Sequence, residues 1–465
     1  MEEKDNSHQE ERIGSEYIIK EKLGSGGQAN VFLVKKVGSE KTYAAKVFKW
    51  NTDAINDEMH FLQVLNEYNN PYIIHLIESG EGEIVRNNRK TKISKYLIME
   101  NASNGNIFDY IYYKKSGLGE LHSKIIFQKI LKGFECCHEH NICHRDIKLE
   151  NLLLDDEYNP KICDFGLSCL NASDITKDCG TKCYKPPEIN GKNKYDGIKV
   201  DIFYLASALM ILTTGLPGFF MPNKNDGYFI DIIKENSESY WNKIDSQLKG
   251  RGITLSSEFK KLYFQMVSYK PEKRPTIKEI LNDPWFKKIN EMKKNNQEKL
   301  DELENKINEI FCSLREDVKN VNKKEMEVNN EKSIVAPHNR SISDESFFTQ
   351  DLKPKYLYTP LNINNCINIK GYLDPVKFMN QLCQNIKDKF GDDWSMYVDN
   401  EKLKFKINLE PELEDENENN ELSILIKLYR YPDGHILRCI QKEGNRKDFL
   451  KKFQIISELV EKIIS

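Results

Sequence analysis

The sequence carries little net charge, little apolar character in its first dozen residues and no regular cysteine framework. Lys and Arg number 69 against 72 Asp and Glu, a formal net charge of -3 over 465 residues. No bulk field therefore favours nucleic acid or an acidic substrate, and any charged partner must be met by a local patch. The N-terminal MEEKDNSHQEER lacks the apolar core of a secretory signal, and no run of residues approaches the roughly 18 apolar positions of a membrane span. The expectation is a soluble cytoplasmic protein, peripheral at membranes if it meets them at all. The 11 cysteines follow no repeating spacing, and seven fall between Cys136 and Cys183. That pattern argues against a disulfide scaffold and predicts reduced thiols.

What is present is enough to build large cores. Hydrophobic residues make up 39%, with 22 Tyr and 22 Phe, and the length exceeds one core, implying about two or three domains. Residues 1–16 are polar and read as a mobile tail. YIIKEKLG from Tyr17, then NVFLVKKVG and TYAAKVFKW, read as three antiparallel strands divided by turns. Met59, Leu62, Leu65 and Tyr68 recur at helical spacing before Pro71, and YLIME at 96–100 is a further strand. Helical patterns then dominate as far as DPWFKK. Residues 17–286 thus predict an α+β unit of two lobes, a small antiparallel sheet lobe followed by a large helical lobe.

Beyond it, 287–330 is charged and helical, without Pro or Gly after residue 290. Leu300, Leu303, Ile307, Ile310 and Leu314 form a short heptad seam, suited to a coiled-coil dimer or to packing on the same chain. Residues 331–355 read as a linker. Residues 356–465 predict a small α+β domain: a helix over 374–390, strands over 394–441 broken by EPELEDENENNE, and an amphipathic helix over 446–464.

The chemistry lies in the first of these units. Leu23, Gly24, Ser25, Gly26 and Gly27 open the loop LGSGGQANV between two predicted strands. A dinucleotide fold would need a helix there, whereas a strand–turn–strand glycine loop can lie over phosphates, as a plain hairpin turn can also explain. Lys46, set in the apolar YAAKVF, needs a charge partner, and Glu58 on the next helix is the candidate. CCHEHNICHRDIKLEN (136–151) crowds cysteines and histidines ahead of Asp146, Lys148 and Asn151, as a metal site or as scaffolding for the charged residues. Those three supply a carboxylate for a hydroxyl proton, an ammonium for phosphate and an amide for Mg²⁺; Asp164, thirteen residues later in CDFGLS, adds an anionic metal ligand.

GSGGQANV, AAK, HRDIKLEN, DFG and GTKCYKPPE, in this order, resemble the motif set of the eukaryotic serine/threonine protein kinases. The resemblance implies ATP and Mg²⁺ as cofactors, serine or threonine residues of proteins as substrates, and no nucleic-acid partner. It implies that Val31, Ala44 and Leu153 sandwich adenine, that Met99 guards the pocket, and that Glu100 to Ala102 form the hinge. Leu62, Leu76, His144 and Phe165 would stack as a spine, Asp201 would anchor the catalytic loop, and Arg274 would pair with Glu188. His138 and the cysteines around it then become scaffold rather than zinc ligands. Ala29, Pro187, Phe203 and Ala206 depart from the family's usual residues, but none removes a charged catalytic group. A catalytically weak scaffold that binds nucleotide, lipid or protein is the alternative.

Arg145, beside the catalytic aspartate, implies an activation loop ordered by an anion, with Thr176 as the candidate phosphosite, Ser173 second and Asp178 a constitutive substitute. Thr181 belongs to the same loop, and Lys177 fills the position most often phosphorylated in related kinases. Asn106 stands where arginine-reading relatives carry a glutamate, while Glu150 remains available. The kinase region looks most like the calcium/calmodulin-dependent and AMP-activated group, although no EF-hand loop follows it. Residues 356–465 resemble that group's kinase-associated C-terminal domain, which implies an anionic membrane surface or a regulatory protein as partner. Eight Lys and Arg against three acids between Leu422 and Gln454 fit such a surface, or simply a solvated face.

Overall fold

The computed structural model describes residues 11–25, 28–50, 53–86, 89–90, 93–171, 175–181, 184–189, 193–219, 222–224 and 226–331, then 355–356, 366–370, 375–390, 394–399, 404–409, 422–431, 434–443, 454–460 and 463. Two compact units divide the chain, Met1–Asn330 and Glu331–Ser465.

The first unit begins with β1 (Arg12–Ile13), β2 (Tyr17–Ser25), β3 (Ala29–Lys36), β4 (Thr42–Phe48), α1 (Asp53–Asn66), β5 (Leu76–Gly82), β6 (Ile84–Arg86), β7 (Arg89–Lys90) and β8 (Ser94–Glu100). The strands form one antiparallel sheet in the order β5-β8-β4-β3-β2-β1-β6-β7. The two-residue period of a strand sorts its side chains. Phe32, Val34, Ala45, Val47 and Ile98 bury one face together with Tyr17. Val31, Ala44 and Lys46, alternating with them, fall on the other. The expected tail is shorter than its polarity suggests: Arg12–Ile13 pairs with both β2 and β6, and Ile13 is buried. A single isoleucine among polar neighbours offers no period to read.

The helical lobe contains α2 (Ile107–Lys114), α3 (Gly119–Glu139), β9 (Ile142–Cys143), β10 (Leu152–Leu154), β11 (Pro160–Ile162), β12 (Cys169–Leu170), α4 (Gly197–Thr214), α5 (Phe229–Ile233), α6 (Ser237–Lys249), α7 (Ser257–Met266), α8 (Ile277–Leu281) and α9 (Lys287–Asn295). Caps fix the helix ends. Asp196 accepts the Ile198 and Lys199 N–H groups at the start of α4, which stops at Gly215 with φ 74°; Thr276 and Glu279 close a capping box on α8. By length and composition α4 could cross a membrane, contrary to the expectation of no such stretch, but it is the buried axis of this lobe. A central helix meets apolar neighbours on every side, so it too is apolar all round.

α10 (Gln297–Glu331) follows. Leu300, Leu303, Ile307 and Phe311 are buried along it. Phe311 sits between Tyr110 at 5.0 Å and Tyr158 at 5.8 Å, ring centre to ring centre, and Lys129 pairs with Glu304 at 3.0 Å. The helix therefore lays its stripe on its own unit. Phe311, not the half-buried Ile310, continues the seam.

In the second unit, β13 (Lys355–Tyr356), β14 (Cys366–Lys370), α11 (Pro375–Phe390), β15 (Trp394–Asp399), β16 (Lys404–Leu409), β17 (Leu422–Tyr431) and β18 (Gly434–Glu443) make a sheet in the order β14-β18-β17-β16-β15 with β13 alongside β17. Residues 454–460 are helical. Phe378, Met379, Leu382, Cys383 and Ile386 of α11 are buried, as are Ile424 and Ile426 of β17. The acidic loop and most of the expected linker lie outside the described residues.

Candidate active site

The sheet register aligns the residues expected to bind nucleotide. Val31 pairs with Lys46 and Lys46 with Leu97; one rung further, Leu33 pairs with Ala44 and Ala44 with Met99. Directly opposed residues share a face, so Val31, Ala44, Lys46 and Met99 share one surface. Gly24 lies opposite Val31, and a side chain there would meet nothing within 4 Å. Ser25 Oγ donates to Asn30 Oδ1 at 2.7 Å across the turn; Leu23 is exposed on the preceding strand. Gly26 and Gly27 lie outside the described residues.

At the hinge, Glu100 accepts two hydrogen bonds from Lys161 Nζ at 3.0 and 3.1 Å and one from the His75 amide at 2.8 Å. The Ala102 carbonyl accepts from the Gly105 amide. Leu153 lies on β10 opposite Lys161.

Lys46 Nζ reaches Glu58 Oε1 at 2.5 Å and Asp164 Oδ1 at 2.7 Å. Burial opposes the lysine's charge, but the two carboxylates outweigh it and hold its pKa above the ordinary lysine value. Burial also pushes Glu58 up despite Lys46. Asp164 falls below the usual carboxylate range because Lys46 overcomes the cost of burial. Asp164 has φ 65° and Arg145 φ 63°, the left-handed region that non-glycine residues enter at a cost, found at sites the surroundings over-determine.

The surroundings of Arg145 and its neighbours are explicit. Asp201, fully buried in α4, accepts the His144 and Arg145 amides at 2.9 Å each, and His138 Nε2 lies 3.0 Å from it. His144 Nε2 is 3.0 Å from the Cys163 carbonyl, and its ring lies 5.0 Å from Phe165 and 5.8 Å from Phe134. Leu62 and Leu76, the other expected spine residues, are buried. His140 Nδ1 is 2.7 Å from the Cys136 carbonyl, and its ring stacks on Tyr68. Each histidine of the crowded stretch thus has a local partner.

On the catalytic loop, Lys148 Nζ donates to Asp146 Oδ2 at 2.7 Å. Asn151 Nδ2 donates to the Asp146 carbonyl at 2.9 Å. The Thr181 hydroxyl donates to Asp146 Oδ1 at 2.7 Å and accepts from Lys148 at 3.1 Å. Sequence reading placed Thr181 only in the activation loop, because nothing in its neighbours marks a contact with a residue thirty-five positions earlier.

Arg145 has neutral partners that the sequence did not name. Its guanidinium donates to the Leu167 carbonyl at 2.8 Å, the Tyr195 hydroxyl at 3.2 Å and the Ser168 carbonyl at 3.5 Å. Asp178 pairs with Lys185 rather than with Arg145. Thr176 is exposed, and Ser173 lies outside the described residues. Asn106 caps α2 by accepting the Asp109 amide at 3.0 Å. Glu150 receives the Tyr184 hydroxyl at 3.4 Å, and burial pushes its pKa up to about 7. Below the site Arg274, 1% exposed, grips Glu188 with two bonds at 2.5 and 3.0 Å, and the Phe203 ring lies 4.9 Å from its guanidinium. The departure at Phe203 keeps an aromatic face for that cation.

These elements gather Lys46, Glu58, Asp164, Asp146 and Lys148 from a sheet lobe and a helical lobe. Residues 17–286 match the protein kinase domain family, and the chain belongs to it. Similar proteins include NUAK family SNF1-like kinase 1 of Mus musculus, 31% identical over 60% of this chain and 40% of its own length. The CBL-interacting serine/threonine-protein kinase 13 of Arabidopsis thaliana is 30% identical over 58% of this chain and 51% of its length. The carbon catabolite-derepressing protein kinase of Candida tropicalis is 33% identical over 59% of this chain and 42% of its length. The chain thus spans between two fifths and about half of the length of these relatives.

Proposed function

We propose that the protein is an ATP-dependent serine/threonine protein kinase. The observation that carries this reading is the Thr181 hydroxyl held by Asp146 at 2.7 Å with Lys148 beside both: a carboxylate accepting an alcohol proton next to an ammonium. A substrate hydroxyl brought to Asp146 would meet the same acceptor, which orients the oxygen and takes its proton as it attacks the γ-phosphorus. Lys148 and Lys46 would offset phosphate charge, with Glu58 holding Lys46 in place. Val31, Ala44, Met99 and Leu153 would enclose adenine, and the backbone of Glu100 to Ala102 would meet its edge.

The oxygen donors suit a hard divalent cation, Mg²⁺. The Asp164 side chain is 47% exposed, the Asn151 side chain is held on the Asp146 carbonyl through its Nδ2, leaving an amide oxygen as its remaining oxygen donor, and among the described residues no group of three or more His, Cys, Asp or Glu could form an all-protein cage. When bound, the cation supplies charge neutralisation at the phosphates.

The bonds of Arg145 to carbonyls and to Tyr195 support an activation segment that assembles without a phosphate; the exposed Thr176 is then a modulating phosphosite. For the second unit we infer an anionic partner, a membrane surface or a regulatory protein. The backbone register is compatible with it: Asp399, Lys404, Lys427 and Arg438 occupy successive cross-strand positions, three basic residues and one acid. Transfer of labelled γ-phosphate to a mixed protein substrate, followed by phosphoamino-acid analysis, tests the reading. Label is expected on serine and threonine; label confined to tyrosine contradicts it.

A further inference from the structure

The cysteines crowded into the catalytic region are not absorbed by this mechanism, and two of them face each other. β9 and β12 pair antiparallel with Cys143 directly opposite Cys169. The Asn171 amide donates to the Asn141 carbonyl at 2.7 Å, so two positions along the ladder Cys143 and Cys169 again form a hydrogen-bonded pair, with Cα atoms about 5.5 Å apart. That separation lies inside the range a disulfide spans. Each thiol is the first cause of the other's shift in ionisation, Cys143 upward and Cys169 downward.

Their surroundings are unequal. Cys143 is fully buried, packed so closely on Gly197 that a side chain there would come within 2.6 Å of its sulfur. Its interaction with Cys169, its burial and the nearby Asp201 and Asp196 all push its pKa up and favour the thiol. Cys169 is part-exposed. Its interaction with Cys143 lowers its pKa against the effect of burial, and Arg145 and Lys177 add to that lowering while Asp201 opposes it. One sulfur is thus reachable and ready to ionise, and its neighbour is shielded and carries a proton.

We propose that Cys143 and Cys169 form a redox-modifiable pair, in which a peroxide converts the two thiols to a disulfide tying the catalytic loop to the segment after Phe165. The Cys169 thiolate attacks a peroxide oxygen, the O–O bond breaks, and hydroxide leaves to become water; the sulfur, oxidised by two electrons, is a sulfenic acid. Cys143 then gives up its proton, its sulfur attacks Cys169 Sγ, the S–O bond breaks and a second water leaves. Peroxide is the oxidant, and a dithiol reductant reverses the bond. The pairing exists while Lys46, Glu58 and Asp164 are assembled, so the bond staples that arrangement.

The full chain is treated with limiting hydrogen peroxide, its remaining thiols are alkylated, and non-reduced peptides are mapped by mass. The expected product joins Cys143 to Cys169 with loss of two hydrogens, disappears with dithiothreitol and in Cys169→Ser, and persists in Cys179→Ser. A bond from Cys169 to Cys179, or alkylation of both Cys143 and Cys169 after other thiols have oxidised, overturns the proposal. Because the wild-type map decides the pairing, it does not depend on how the variants fold. The oxidised form should melt about 5 °C higher. An unchanged midpoint overturns the staple. On the kinase reading, the oxidised protein also keeps its transfer activity through a heating step that inactivates the reduced one. The peptide map does not rest on that reading, so absence of transfer in both forms would count against the kinase reading alone.

Discussion

Replacing Asp201 by Asn changes almost no volume but reverses part of a hydrogen-bond pattern. The carboxylate accepts two backbone amides at 2.9 Å and faces His138 Nε2 at 3.0 Å, all in a fully buried setting. An asparagine keeps one acceptor oxygen and sets an NH₂ group against one of the two backbone N–H groups or against the imidazole. One orphaned buried N–H costs about 1–3 kcal/mol, and loss of the charge-assisted character of the others adds to it, so about 2–4 kcal/mol is expected. For a unit of this size that lowers Tm by about 3–6 °C. The same change relaxes the left-handed backbone at Arg145, displacing Asp146, so transfer should fall further than Tm alone explains. Thermal unfolding of Asp201→Asn beside Asp245→Asn, whose surface pair with Lys260 at 2.6 Å is 45% exposed on the acid side, isolates the effect. The control should stay within about 1 °C. If Asp201→Asn stays as close to wild type, Asp201 does not anchor the catalytic loop.

Phe311→Ala removes the ring between Tyr110 and Tyr158 and should weaken α10 docking by about 3–5 kcal/mol; hydrogen exchange over 297–331 should rise at every protein concentration, whereas protection that grows with concentration would mean a second copy holds the helix. Lys46→Met strips Glu58 and Asp164 of their shared cation and should lower phosphate transfer by at least about a hundredfold, with a fall in Tm because the buried Glu58 loses its partner; retained transfer would remove Lys46 from the mechanism. Glu150→Gln addresses pH. A carboxyl raised to about 7 in the fold contributes stability below its unfolded pKa that is lost as pH rises through 7, so wild type should lose Tm between pH 5 and pH 8 and the variant should lose less; identical slopes would show that Glu150 does not titrate there.

The charged residues of the candidate site stood out because their types and spacing matched a known motif set: Asp146, Lys148 and Asn151 sit on one short loop, and Asp164 lies two residues beyond β11, which pairs with the strand after that loop. Partners made by backbone were not. Arg145 finds two carbonyls and a tyrosine fifty residues on, and carbonyls leave no signature in sequence, so an anion was the natural expectation. The seam of α10 shows a different limit. Steps of three and four are equally helical, so Ile310 and Phe311 both continued the pattern, and the groove between Tyr110 and Tyr158 decided between them. β1 was lost for lack of length, and α4 was read too weakly because a helix buried all round has no polar face to mark its period.

The most direct test of the central claim compares wild type with Asp146→Asn in transfer of labelled γ-phosphate from ATP, with Mg²⁺, to a serine-containing protein substrate. Nucleotide binding is measured on both proteins in parallel. Asp146 touches no expected adenine contact, so the account predicts equal ATP binding and transfer lowered by at least about a hundredfold in the variant. Equal transfer by the two proteins, or none by wild type while it binds ATP, would contradict it.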